Sequence, residues 1–376
     1  MKKKAEIREV SSKKGKKAFI YLPERMYEKK YPQWVHPIYR SQRDYFNPGK
    51  NDAWGYSDVI LFLAWAGDDP VGRIMGIVNH RFNEFHKTRE ARFSYFDCID
   101  DQETATRLLS TVEGWAKDRG ADYIIGPLGF KNTDTQGVLV EGQEHRSIIA
   151  SWWHPPYTPG LIEGAGYRKE MDWFGYKIEL TDNTIPPIYD KITRRLLSRT
   201  RYRLLEFSSK REMKPYILPV FRLINESYTE LYGFSPLTDR EIRKTVQNYQ
   251  SFLDPRFAKV VVYDNEVVAF GLGLPDLSPG FRAARGRLFP FGFLKILRCL
   301  KASRRLDLVL GAIKKKHRGK GLDVLMAKAM YTSAIQAGMT HMDTHKEQET
   351  NKKIIAEIER VGGRRYKRYR IYRKAL

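Results

Sequence analysis

A basic loop that contains two glycines has the clearest chemistry in this sequence. Alternating apolar residues predict a strand over 306–313, and helical spacing predicts a helix over 322–336. Between them the chain reads Lys314-Lys315-Lys316-His317-Arg318-Gly319-Lys320-Gly321. Glycines let backbone approach a phosphate, and the free N–H groups and dipole of a helix N-terminus favour negative charge. The loop therefore predicts an anion site, although its glycine spacing matches neither a P-loop nor a Rossmann fingerprint.

A second group of reactive side chains surrounds the end of the predicted strand 340–344. It consists of His341, Asp343, His345, Glu347 and Glu349. Alternate strand residues share a face, so the first three could line one wall, but a surface polar cluster explains them better than a metal site and we predict no metal. An amine that attacks an acyl group must lose a proton. The predicted catalytic candidates for accepting it are Glu347, Glu349 and His345, with Asp307 or an ordered water as alternatives.

The elements that must position these residues occur twice along the chain. Hairpins are predicted at 61–78 and 259–274, and each is followed by a third strand, a helix ending at Gly120 or Gly338, and further strands. The hairpin turns lie 196 positions apart and the late glycines Gly166 and Gly363 lie 197 apart. We therefore predict two copies of one α/β unit, at 1–180 and 181–376. Two unrelated α/β domains are the alternative.

Charge is distributed unevenly between these halves. Of the formal net charge of +23, only +2 lies within residues 1–180 and +21 lies beyond them. This predicts an anionic partner, either a phosphorylated cofactor, nucleic acid or a membrane surface, with a merely solvated face as the alternative. Residues 288–301 mix bulky apolar and basic side chains, which suits a lid over the cleft or, less well, an interfacial helix.

The cellular setting is predicted from what the sequence does not contain. Two cysteines, Cys98 and Cys299, cannot build a disulfide framework or a zinc cluster. The basic N-terminus lacks an apolar signal segment, and no uncharged apolar run reaches the length of a membrane span. We therefore predict a cytoplasmic protein with no membrane span. The oligomeric state is left open.

The glycine loop resembles the pyrophosphate loop of the GCN5-related N-acetyltransferase (GNAT) superfamily, Arg/Gln-x-x-Gly-x-Gly/Ala between the fourth strand and the next helix. Arg318 and Gly321 match its first two fixed positions, whereas Asp323 replaces the third. Asn351 stands where the family tends to carry an Asn, and Ile358 where some members carry a Tyr acid. The resemblance implies the α/β (α+β) class with two tandem GNAT-like domains, each a mixed, mostly antiparallel sheet flanked by helices.

The resemblance also implies an acyl-CoA-dependent N-acyltransferase, using acetyl-CoA or another acyl-CoA and a small-molecule or peptide amine. The residues implied to bind coenzyme A are Leu310, Gly311, Ala312, Ile313, Arg318, Gly319, Lys320, Gly321, Leu322 and Asn351. In the first copy the corresponding residues 96–103 hold four carboxylates and no glycine, so that copy is predicted to be degenerate. The alternatives are a non-catalytic acyl-CoA- or RNA-binding relic and a transferase of similar fold that uses aminoacyl-tRNA.

Overall fold

The computed structural model describes residues 4–148, 151–181, 183–249, 253–344 and 346–376. Its strands, numbered in chain order, are β1 (Glu6–Glu9), β2 (Ser57–Ala66), β3 (Asp69–Asn79), β4 (Glu90–Cys98), β5 (Tyr123–Gly126), β6 (Val138–Glu141), β7 (Arg168–Glu179), β8 (Tyr202–Leu205), β9 (Ala258–Tyr263), β10 (Glu266–Pro275), β11 (Arg305–Ile313), β12 (His341–Thr344), β13 (Glu347–Gln348) and β14 (Arg364–Ala375). The predicted hairpins are β2–β3 and β9–β10. The predicted third strands are β4 and β11.

The helices include both predicted ones, α4 and α11, and several that the sequence patterns missed. They are α1 (Lys13–Tyr27), α2 (Tyr39–Tyr45), α3 (His80–His86), α4 (Gln102–Lys117), α5 (Thr158–Gly164), α6 (Ile188–Arg199), α7 (Lys210–Ser227), α8 (Asp239–Tyr249), α9 (Ser278–Ala283), α10 (Gly292–Ala302), α11 (Leu322–Gln336) and α12 (Lys352–Arg360). Across the described ranges, no helix combines the length and the apolar composition needed to cross a bilayer.

The chain divides into two compact units that are not contiguous in sequence. Unit 1 comprises Met1–Phe174, Leu277–Cys299 and Tyr366–Leu376, and unit 2 comprises Gly175–Asp276 and Leu300–Arg365. The predicted boundaries 1–180 and 181–376 assign neither Leu277–Cys299 nor the C-terminal strand to the first half. The reason is that strand partners are chosen by tertiary hydrogen bonding, which the order of elements along the chain does not specify.

In unit 1 the strands follow the order β1, β2, β3, β4, β5, β14 and the first part of β7. The β4–β5 pair is parallel, whereas β2–β3, β3–β4 and β5–β14 are antiparallel. Helix α4 packs against β3 at two glycines: a Cβ on Gly72 would lie 2.7 Å from the Leu108 side chain, and one on Gly76 would lie 2.9 Å from Val112. The glycines in this strand therefore permit the close approach of the helix.

In unit 2 the strands follow the order β8, β9, β10, β11, β12 and the second part of β7. Strands β11 and β12 are parallel, and the neighbouring pairs are antiparallel. Alternate residues of β9 face opposite sides: Val261 packs with Leu322 and Leu325 of α11, whereas Val260 packs with Leu223 of α7. The predicted fold class, a mixed and mostly antiparallel sheet flanked by helices, is confirmed.

Candidate functional site

Strands β11 and β12 separate halfway along β11. Their parallel pairing covers Arg305–Leu308 of β11 and His341–Thr344 of β12. Residues 310–313 of β11 continue to pair with β10 on the other side, after a register shift at Val309. Leu306 and Asp307 are buried, whereas every residue from Leu308 onward is at least partly exposed. An open strand edge presents backbone donors and acceptors to a ligand, and four predicted binding residues, Leu310–Ile313, lie on it.

The predicted glycine loop leads from this edge to helix α11. Gly319 and Gly321 have φ angles of +72° and +84°, a region that suits glycine. Gly321 is also the N-cap of α11, and it supplies no side-chain oxygen to the N–H groups of the first helical turn. These donors therefore stay available for an anion. Asp323, which departs from the family pattern, lies exposed in that first turn.

Most basic side chains of the loop are already engaged within unit 2. Lys314 and Lys316 form ion pairs with Glu266, and Lys315 pairs with Glu230 at 2.9 Å. The Arg318 guanidinium donates to the Ile313 carbonyl at 3.1 Å, donates to the Ser227 carbonyl at 3.3 Å and lies 3.4 Å from Glu230. Arg318 thus holds the shape of the loop, while the exposed Lys320 follows it in the chain.

Strand β13 contains one predicted catalytic candidate, Glu347, in a strongly perturbed setting. Burial raises the pKa of Glu347 to about 7, and burial lowers the pKa of the adjacent Lys346 to about 7. A carboxyl group with such a pKa can accept a proton near neutral pH. Glu349 follows β13 in a turn, and His345 lies outside the described residues.

Tyr228 is a site residue that the sequence analysis missed. It follows the last residue of α7, and its hydroxyl donates to the Gly311 carbonyl at 3.0 Å, on the open part of β11. Burial raises its pKa to about 12, and the negative charge of Glu347 contributes to the rise, which places Tyr228 and Glu347 within electrostatic range. No motif marks this tyrosine, because it lies 83 residues from Gly311 in sequence.

Three of the buried polar atoms that have no hydrogen-bond partner in the described part of unit 2 belong to the loop, to the last residue of α7 and to β13. They are His317 Nε2, Ser227 Oγ and Gln348 Nε2. His317 is held through its other nitrogen, Nδ1, which lies 2.7 Å from the Tyr202 hydroxyl. Buried polar groups normally find partners. Unsatisfied groups next to an open strand edge and an uncapped helix are what a polar ligand such as the coenzyme A moiety would require.

Asp307, an alternative proton acceptor in the sequence analysis, lies in a buried ionic cluster. Arg305 donates to Asp307 at 2.8 Å and pairs with Asp276 at 2.8 Å, and Asp343 is the register partner of Asp307 on β12. Burial raises the pKa of Asp307 to about 8, and the nearby Asp343 and Asp276 add to the effect. Asp307 lies in the part of β11 that still pairs with β12, and its carboxyl group interacts with Arg305. This position suits a structural role.

The remaining predicted residues lie around α12 and β12. Asn351 is the N-cap residue of α12, but its side chain does not accept a capping hydrogen bond. Ile358, at the position of the family tyrosine, is buried in the same helix. His341 Nδ1 lies 3.0 Å from the Thr340 hydroxyl, and burial lowers the pKa of His341. His341 is the register partner of Arg305, so it lies at the paired end of β11 and away from the open edge.

The described residues bring potential cation ligands together at Glu24, Glu28 and His36, in unit 1. Arg285 lies 2.5 Å from Glu28, and Arg287 lies 3.0 Å from Glu24. Two guanidinium groups therefore already neutralise these carboxylates, which gives the grouping a structural character.

The equivalent part of unit 1 is closed. Strand β4 is buried along its whole length, and the Leu128 N–H donates to the Phe93 carbonyl at 2.9 Å just beyond the β4–β5 pairing. The buried Arg92 donates to the carbonyls of Gly129 and Phe130 at 3.1 Å each. These bonds occupy the strand edge that stays open in unit 2.

The helix N-terminus of unit 1 is also occupied. Asp101 is the N-cap of α4, and its carboxylate accepts from the Thr104 N–H at 2.9 Å and from the Thr104 hydroxyl at 2.6 Å. Asp97 of the same predicted loop is buried against Arg73 at 2.7 Å. Asp97 and Asp101 thus serve the fold of unit 1.

Comparison with known proteins identifies relatives along the whole chain. The bacterial ceramide synthase of Caulobacter vibrioides is 30% identical over 370 residues, which cover 96% of this chain and 94% of that protein. Protein YghO of Escherichia coli is 25% identical and covers 98% of this chain and 95% of its own. A solved tandem GNAT protein from the clavulanic acid biosynthesis pathway has the same fold, with a TM-score of 0.53 at 12% identity, over 99% of this chain and 98% of that one. No protein-family model matches the chain. The predicted resemblance to tandem GNAT proteins is confirmed.

Proposed function

The chain belongs to the family of the bacterial ceramide synthase and has the tandem GNAT fold, and on this basis we propose that it is an acyl-CoA-dependent N-acyltransferase. The observation that carries the proposal is the contrast between the copies. In unit 2 an open β11 edge leads into a glycine-capped helix, whereas in unit 1 the same two features are closed by Leu128 and Asp101. We therefore assign one acyl-donor site per chain, in unit 2.

The donor would be held by the open edge and the loop. Leu310, Gly311, Ala312 and Ile313 offer strand backbone, and Gly319, Lys320, Gly321 and Leu322 offer the N–H groups of the loop and the first helical turn. His317 Nε2 and Ser227 Oγ are buried polar atoms that a ligand here would satisfy. When bound, an acyl-CoA supplies a thioester whose carbonyl carbon is open to attack by an amine.

The chain's own residues provide the means to move a proton at this edge. Glu347, with its pKa raised to about 7, accepts a proton from the incoming ammonium group when it is ionised. Tyr228 holds a proton on its hydroxyl at Gly311, because its pKa lies near 12. In this proposal Glu347 and Tyr228 perform the proton transfer that other family members assign to a tyrosine at the position of Ile358. Glu349 and His345 are the other candidates for the base.

For the acceptor we propose the amine of a long-chain amino alcohol. The proposal is supported by the name of the Caulobacter relative, since a ceramide is such an amino alcohol carrying an acyl group on its nitrogen. A fatty acyl-CoA is then the expected donor in place of acetyl-CoA. Other small-molecule or peptide amines are the comparison substrates.

The test combines a binding measurement with a substrate panel. Calorimetry with acetyl-CoA and palmitoyl-CoA should show one site per chain. Product analysis with a long-chain amino alcohol, a polyamine and a lysine peptide should then show amide formation with the amino alcohol and none with the other two amines. Coenzyme A binding without any product would support the non-catalytic relic. Salt-dependent RNA binding with no coenzyme A binding would support the aminoacyl-tRNA alternative.

A further inference from the structure

A cluster of exposed apolar side chains lies on and just before helix α10. This apolar ridge consists of Phe289, Phe291, Phe293, Leu294 and Leu297, whose exposed fractions run from 41% to 70%. Phe289 and Phe291 precede the helix, whereas Phe293, Leu294 and Leu297 recur at the spacing of one helical face. Large apolar side chains that are exposed as a group mark an interaction surface, unlike isolated ones.

The opposite face of α10 is anchored to α9. Ile296 is buried, and a Cβ on Gly280 of α9 would lie 2.9 Å from the Ile296 Cα and 2.9 Å from the Cys299 Cβ. This close approach fixes the orientation of the helix. The ridge is therefore held outward by packing on its reverse side and is not free to fold back onto its own unit.

The charges around the ridge are of one sign. Residues 277–305 contain eight Lys and Arg residues and no Asp or Glu. Arg298 and Lys301 are exposed in the C-terminal half of α10 itself. Arg285 and Arg287 instead pair with Glu28 and Glu24. The surface next to the apolar side chains is consequently positive, and it would meet a negatively charged partner.

We propose that the ridge docks the protein on the surface of an anionic lipid bilayer. The apolar side chains would insert at the level of the lipid headgroups, while Arg298 and Lys301 of the same helix contact lipid phosphates. A bilayer fits better than a second protein because an apolar face on a segment whose own charges are all cationic matches an apolar interior covered by anionic headgroups. The proposal rests on this surface alone and does not depend on the proposed function.

The test is flotation of the full chain with phosphatidylcholine vesicles, with and without phosphatidylglycerol, in the absence of acyl-CoA and acceptor. We expect binding to the phosphatidylglycerol vesicles that weakens as salt rises. F291S/L297S should lower the partition coefficient by about tenfold or more. R298Q/K301Q should lower it by roughly thirtyfold, because each basic residue near the surface contributes separately. The control F85S/L218S, which changes two exposed apolar residues elsewhere, should bind like the parent chain.

Thermal melting of each variant separates loss of the surface from loss of the fold. The proposal is overturned if the parent chain binds neither kind of vesicle, or if F291S/L297S floats as well as the control. It is also overturned if light scattering shows that the ridge instead joins two copies of the chain, so that F291S/L297S abolishes a dimer and vesicle binding is absent. Salt-insensitive binding to neutral vesicles would contradict the role of the basic residues.

Discussion

The Tyr228 hydroxyl donates a hydrogen bond of 3.0 Å to the Gly311 carbonyl, which lies on the part of β11 that has no partner in β12. This bond joins the end of α7 to the open strand edge. It places a phenol at this edge in a chain that carries a buried isoleucine, Ile358, at the sequence position of the family tyrosine. The relationship makes Tyr228 the first residue to test.

Y228F should lower kcat by roughly tenfold or more and leave coenzyme A affinity nearly unchanged, because it removes the proton on this hydroxyl but keeps the ring. The lost hydrogen bond should cost about 1 kcal/mol of unfolding free energy. Steady-state kinetics, calorimetry and urea unfolding measure these effects. The matched control is Y216F in α7, where the ring packs against Phe207. Equal kinetics for both variants would remove Tyr228 from the mechanism.

The pH profile tests Glu347. With the pKa raised to about 7, the carboxyl is protonated and inactive as a base below this pH and ionised above it. We expect kcat/KM to rise with pH through about 7, and E347Q to abolish both the rise and most of the activity. E349Q is the control from the same segment and should keep the profile. A pH rise that survives E347Q but disappears in E349Q would transfer the role to Glu349.

Gly321 tests the contrast between the copies. G321D gives α11 the N-cap residue type that α4 carries at Asp101, and it should abolish coenzyme A binding by placing a carboxylate at the helix N-terminus. G321A controls for strain at a φ of +84°, which costs about 1–2 kcal/mol of stability, and should retain most of the affinity. D101A should lower stability by about 1 kcal/mol without changing affinity. Loss of coenzyme A binding in D101A would instead indicate that the donor site lies in unit 1.

Asp307 should make stability depend on pH. Its pKa is about 8 in the folded protein and near 3.8 as its ordinary value, so between these pH values the folded state holds a proton that the unfolded state has released. The unfolding free energy should therefore fall as pH rises from about 4 to about 8. D307N should flatten this part of the curve, whereas D264N, at an exposed hairpin turn, should not. Urea unfolding across the range decides this, and an unchanged slope in D307N would contradict the assignment.

The sequence by itself determined the features that depend on local spacing. Strand alternation, helical periodicity and turn residues are patterns among residues within about 20 positions of one another, and they predicted both hairpins, β4, β11, α4 and α11. The recurrence of these elements along the chain then predicted the repeat. The sequence also predicted the glycine loop, because the ability to adopt a left-handed φ depends on the type of a single residue. Arg318 was correctly placed in the loop, but its bonds to the carbonyls of Ser227 and Ile313 were not foreseeable.

Tertiary structure alone decided which of the two copies has an open edge. That outcome depends on where Leu128 and Arg92 place their hydrogen bonds in unit 1, and on the end of the described β11–β12 pairing at Leu308 in unit 2. It also set the proton chemistry, because burial shifts the pKa of Glu347 and Tyr228, and burial is a property of the packed chain. Residues far apart in sequence come together only when the strands pair, and no local sequence pattern specifies which strands pair.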